Sequence, residues 1–150
     1  MEKIESKEII TLVTEMKNKV DKILDKILKE VGITKAQALI LMSINKDKRP
    51  ENCNVNDIVS ELELNQGNTS SLLKKMEKME LIERTRAKND ERRVEIIITD
   101  KGKEKLKALE KRMEKLREKI NNGYDTQKKI NLINGMRQLD DFINFLVEEE

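Results

Sequence analysis

A chain of 150 residues, 40% charged and 37% apolar, has room for one domain and one added assembly element. It has no histidine, one cysteine and three aromatic residues, so it lacks the commonest general base and metal ligand and cannot close an intrachain disulfide. Nor can it build a stacking platform for single-stranded nucleic acid. The net charge of +2 conceals an asymmetry: Ser71–Arg93 carries eight basic against five acidic residues, whereas the last eleven residues carry five acids and no base, which points to a polyanion partner for the middle of the chain.

The first element is a long amphipathic helix. Ile10, Val13, Met16, Val20, Ile23, Ile27 and Val31 recur every three or four residues, and Gly32 is suited to end the helix just past its last turn. Thr34 opens a second helix, with Gln37 completing a capping box and Ala38, Leu39, Leu41 and Met42 expected on its apolar side. Asn45 to Asn52, with Pro50 inside, reads as a polar connection that leaves Cys53 in a loop. Asn54 can cap a short third helix with Ile58, Val59 and Leu62 inward. Asn65 can cap a fourth, with Thr69, Leu72, Leu73, Met76 and Met79 inward. Two short helices separated by so small a turn have the spacing of a helix-turn-helix.

The period then changes. Ile82, Arg84 and Arg86 alternate with their neighbours, Val94–Ile98 is rich in β-branched residues, and the polar Ala87–Glu91 lies between, which predicts a β-hairpin with a basic tip. Thr99 caps a long helix with Leu106, Leu109, Met113, Leu116 and Ile120 at heptad spacing. Asn121-Asn122-Gly123 is expected to break it, and Asp125 caps a last helix carrying Ile130, Ile133, Met136, Leu139, Ile143 and Leu146. The reading is an α+β, mostly α, winged helix-turn-helix over 34–99, with helical dimerisation segments at 1–31 and 100–150 in a single domain. No apolar run approaches the ~18 residues of a membrane span and the start is not a signal peptide, so a cytoplasmic protein is expected.

On the fourth helix, Gln66, Asn68, Ser70, Ser71, Lys74 and Lys75 are the side chains suited to base edges and phosphates, with Lys78 beyond them. On the hairpin, Arg84, Arg86, Lys88, Arg92 and Arg93 are suited to a narrow minor groove. Cys53, near Lys48 and Arg49 in sequence, reads as an incidental cysteine more readily than as a redox switch.

The stretch from Asp90 to Gly102, with Asp90-x-Arg92, an apolar strand and Thr99-x-x-Gly102, resembles the wing signature of the MarR family. Leu64-Asn65 and Met76–Ile82 resemble that family's recognition helix and its exit, so the likeness spans nearly the whole chain. It implies a homodimeric, sequence-specific DNA-binding regulator acting on a pseudo-palindromic operator in double-stranded DNA. It also implies a repressor released by a small-molecule ligand of unspecified identity. With no histidine, metal cluster or glycine-rich phosphate loop in the sequence, no enzyme activity, cofactor or metal is expected. By resemblance Arg92 reaches the minor groove, Asp90 holds the wing's shape, and the first and last two helices form the dimer, with Ile10, Val13, Leu106, Leu109, Met113, Leu116, Ile143 and Leu146 at the interface. Two departures stand out: Glu80 occupies a position where members often have glycine, and the first helix lacks the sensing cysteine of the organic-hydroperoxide branch, which Arg84–Arg92 otherwise resembles. The modest net charge and acidic tail also fit a rival reading, a winged-helix module that docks a protein and no longer reads DNA.

Overall fold

The computed structural model describes residues 6–45, 53–54, 60, 66–87 and 90–149. Among them the chain runs α1 (Ser6–Val31), α2 (Lys35–Ile44), β1 (Cys53–Asn54), α3 (Gln66–Lys78), β2 (Ile82–Ala87), β3 (Asp90–Ile98), α4 (Asp100–Gly123) and α5 (Thr126–Glu149). The expected third helix, with Ile58, Val59 and Leu62, lies outside the described residues.

Local chemistry fixes the helix boundaries. Gly32 sits at φ 78°, a left-handed conformation, and its N–H and that of Ile33 both reach the Leu28 carbonyl, at 2.8 and 3.2 Å, closing the end of α1. Lys105 Nζ donates to the Val31 carbonyl at 2.7 Å and satisfies another carbonyl of the same turn. The capping box at α2 forms as expected, with Gln37 N–H on Thr34 Oγ1 and Thr34 N–H on Gln37 Oε1. Thr99 accepts from Gly102 N–H at the start of α4, and Asp125 accepts from Lys128 N–H at the start of α5.

Four sequence expectations need correction. In α2, Ile40 and Leu41 are fully buried while Leu39 and Met42 are exposed. This helix is apolar on nearly every side, so periodicity could not choose the buried face. α4 continues through Asn121–Gly123 instead of ending before them; weak helix formers lower helix stability without stopping it when no proline intervenes. The hairpin strands reach further toward the tip than the β-branched run indicated, and β3 starts at Asp90. Cys53 is the first residue of a short strand, since Cys53 and Asn54 pair antiparallel with Ile96 and Glu95, making a three-stranded sheet of order β1-β3-β2.

The described residues form two compact units, Met1–Glu110 and Lys111–Glu150, with the boundary inside α4. In the first, the core is built from Ile40, Leu41, Leu73, Met76, Leu81, Ile82 and Ile96, with Leu106 and Leu109 packed on it and half-buried. The register explains which hairpin residues join: Ile82 opposes Ile98 and Arg84 opposes Ile96, so these four lie on one face of the sheet. In the second unit, Met113, Leu116 and Leu139 are half-buried, whereas Ile143, Phe145 and Leu146 are exposed.

The join between α3 and the hairpin is held by several close contacts. Glu80 has φ 60°, a left-handed conformation that costs a non-glycine residue about 1–2 kcal/mol. Its neighbourhood holds it there: Leu81 N–H reaches the Met76 carbonyl at 3.0 Å, and Thr99 Oγ1 donates to the Glu80 carbonyl at 2.6 Å. The Lys101–Glu80 ion pair at 3.1 Å is exposed and adds little. Glu80→Gly is therefore expected to raise the unfolding free energy by about 0.5–1 kcal/mol, the relief of strain less the extra chain entropy of glycine. A urea titration tests this, and an unchanged or lower midpoint would contradict it.

Candidate nucleic-acid interface

Helix α3 has two chemically distinct sides. Thr69, Leu73 and Met76 are buried and dock it on the core. Ser70, Ser71, Lys74, Lys75 and Lys78 follow one another at steps of one and three along the exposed side, as neighbours on a single helical face. Asn68 is exposed one turn earlier, and no acid occupies the first turn. A first turn free of acids suits a phosphate near the positive end of the helix dipole. Further along stand three lysines and one acid, Glu77.

That acid does not lie unpartnered among the lysines. Arg84 Nε and Nη2 both donate to Glu77 Oε2, at 2.9 and 2.6 Å, and both side chains are half-buried. Hydrogen bonding from Arg84 holds the Glu77 carboxyl below its ordinary pKa, outweighing the desolvation that raises it, and the guanidinium's charge adds a smaller effect in the lowering direction. The pair stays ionised at neutral pH and is lost only as pH falls through that lowered value.

In the wing, Arg86 is exposed two residues past Arg84. The register then jumps: Arg86 opposes Val94, but Ala87 opposes Asp90, so Glu91, Arg92 and Arg93 are inserted between the two pairings. Such a bulge bends a strand and redirects its side chains. Asp90, Arg92 and Arg93 are described by backbone alone, as is Gln66 at the start of α3, and Lys88 lies outside the described residues.

The residues named for the dimer fall into two groups. Ile10, Ile143 and Leu146 are exposed; Val13, Leu106, Leu109, Met113 and Leu116 are half-buried within the single chain. The sequence reading missed Glu77, because an acid seven residues before an arginine and across a turn from it leaves no periodic signal. Gly102 carried no role of its own in the sequence pattern; its close approach to the Leu81 carbonyl at the α3 exit supplies one.

A helix with one polar, basic face, followed at once by a basic β-hairpin and flanked by long helices, defines a winged-helix protein. Over 97% of this chain the fold superposes on 96% of a crystallised MarR family transcription regulator, with TM-score 0.78 and 16% identity. It also superposes on Staphylococcus aureus MepR from a MepR–DNA complex, with TM-score 0.72 and 19% identity over 89% of this chain and 98% of that one. In sequence, the chain is 35% identical over 111 residues to the HTH-type transcriptional regulator MgrA of Staphylococcus aureus, which covers 74% of each chain. Residues 22–109 match the family described as Transcriptional regulator SarA/Rot, and the chain belongs to that family.

Proposed function

We propose that the chain binds duplex DNA as a homodimer, acts in the cytoplasm as a repressor at a pseudo-palindromic operator, and is released by a small-molecule ligand. The observation that carries this reading is the exposed Ser70-Ser71-Lys74-Lys75-Lys78 face of α3, directly opposite the side that anchors it. α3 enters the major groove, where Gln66, Asn68, Ser70 and Ser71 reach base edges and the lysines reach phosphates. The wing, with Arg86, Lys88, Arg92 and Arg93, follows the backbone into the neighbouring minor groove, and Asp90 keeps its shape. The DNA carried by MepR, a protein of the same fold, supports DNA binding.

Dimerisation is supported by the apolar stripes that each unit leaves in solvent, among them Ile10, Met16 and Val20 on α1 and Ile143, Phe145 and Leu146 on α5. A dimer whose recognition helices lie ~34 Å apart reads two half-sites one turn apart. Ligand release rests on the family resemblance alone. Among the described residues no helix is long and apolar enough to cross a membrane.

Selection of bound duplexes from a random pool, with and without phenolic or lipophilic compounds, tests the proposal. A two-fold symmetric consensus that is lost with one compound is expected, and a pool that never enriches would refute DNA reading. Arg92→Ala is expected to weaken binding to the selected duplex by about 1–3 kcal/mol at fixed salt. Unchanged binding would remove Arg92 from the contacts.

A further inference from the structure

We propose that Glu77 and Arg84 form a brace that sets the angle between the recognition helix and the wing, so that an acid beside a polyanion site strengthens DNA binding. The inference rests on the DNA-binding reading above and adds a positioning role that neither residue type announces. Glu77 lies in the last turns of α3, and Arg84 lies on β2, on the sheet face it shares with Ile82 and Ile96. Between them runs only the turn through Met79, Glu80 and Leu81, whose left-handed Glu80 is a natural pivot.

Two sets of bonds keep that pivot from turning. At the base of the hairpin, Thr99 N–H reaches the Leu81 carbonyl at 3.2 Å and Thr99 Oγ1 reaches the Glu80 carbonyl at 2.6 Å. Further along β2, Arg84 binds Glu77 through two nitrogens at 2.9 and 2.6 Å, a geometry more directional than a point charge. Two attachments at different distances from the pivot fix an angle that one alone leaves free. Arg84 is thereby committed within the protein, while Arg86, two residues nearer the tip, is exposed. A protein that grips two neighbouring grooves at once needs that angle fixed before it meets DNA.

Simple electrostatics predicts the opposite effect of mutation, which makes the brace testable. Glu77→Gln removes a negative charge near DNA, and by charge alone it tightens binding and frees Arg84 for a phosphate. The brace instead requires weaker specific binding. Glu77→Gln, Arg84→Lys and the exchange of Glu77→Arg with Arg84→Glu should be titrated against a selected duplex and an unrelated duplex of equal length at several salt concentrations. Circular dichroism of each variant verifies its helix content.

Glu77→Gln is expected to lose about tenfold in affinity for the selected duplex, with unrelated-duplex binding and the salt slope unchanged. Arg84→Lys, which keeps the charge but not the two-nitrogen contact, falls between Glu77→Gln and the original chain, and the exchange restores most of the loss. Equal or tighter specific binding by Glu77→Gln, with a steeper salt slope, overturns the brace, as does failure of the folded exchange variant to recover affinity. Absence of any duplex preference in the unaltered chain is a separate result that overturns the DNA reading itself.

Discussion

Gly102→Ala is expected to destabilise the protein by about 2 kcal/mol, although alanine is the better helix former. Gly102 is buried in the first turn of α4, where an added Cβ would lie 2.3 Å from the Leu81 carbonyl oxygen, 2.8 Å from Ile98 Cγ1 and 3.3 Å from Leu41 Cδ2. The closest of these atoms is backbone and cannot swing away. It also accepts the Thr99 N–H at 3.2 Å, and Leu81 is itself fully buried. Relief requires α4 to lift from the exit of α3, at an overpacking cost of about 3 kcal/mol, against which better helix propensity returns about 1 kcal/mol. Urea unfolding with an unchanged slope and a lower midpoint would bear this out. A variant more stable than the original would mean that propensity dominates and the close approach is not tight. The Thr99-x-x-Gly102 signature thus has a physical content: Thr99 ties the α3 exit to the start of α4, and Gly102 allows the two to touch.

If the chain pairs as proposed, Ile143→Asp combined with Leu146→Asp is expected to yield monomers and to lower affinity for a two-half-site operator by about 10²–10⁴-fold. Both residues are exposed in the single chain, at 38% and 42%, so the substitutions cost one protomer little. Across a two-fold interface each carboxylate appears twice and is buried without a partner, at several kcal/mol each. Sedimentation should then give a species of 17.5 kDa in place of one twice that mass. An intact dimer at micromolar concentration would exclude this end of α5 from the interface. Leu106 and Leu109 would make an ambiguous test, because both pack on the chain's own core and their loss would unfold the domain.

Features set by a few adjacent residues were legible in the sequence. The glycine end of α1, the Thr34–Gln37 capping box, the Thr99 and Asp125 caps and the alternation of Ile82 and Arg84 all depend on neighbours within one turn or two strands. What the sequence left unread depends on packing between distant segments. Ile40 is chosen over Leu39 and Met42 by what lies on each side of α2, which periodicity in the continuous apolar run Ala38–Met42 does not encode. The two-residue strand at Cys53 exists only because β3 offers it an edge. The heptad at Leu106–Ile120 read as one seam, yet its first two leucines serve the core beneath the wing, while Ile120 is exposed. At the candidate interface the lysine face of α3 was readable from spacing, whereas the role of Glu77 needed the turn at Glu80 to bring it to Arg84.

On the proposed reading, α3 and the wing together recognise a DNA sequence. Fluorescence anisotropy with the promoter duplex beside the chain's own gene, against a scrambled duplex of equal length at matched salt, tests it most directly. Binding to the promoter is expected to be at least ~10³-fold tighter and to weaken steeply as salt rises. Equal affinity for both duplexes, or none for either, would contradict it.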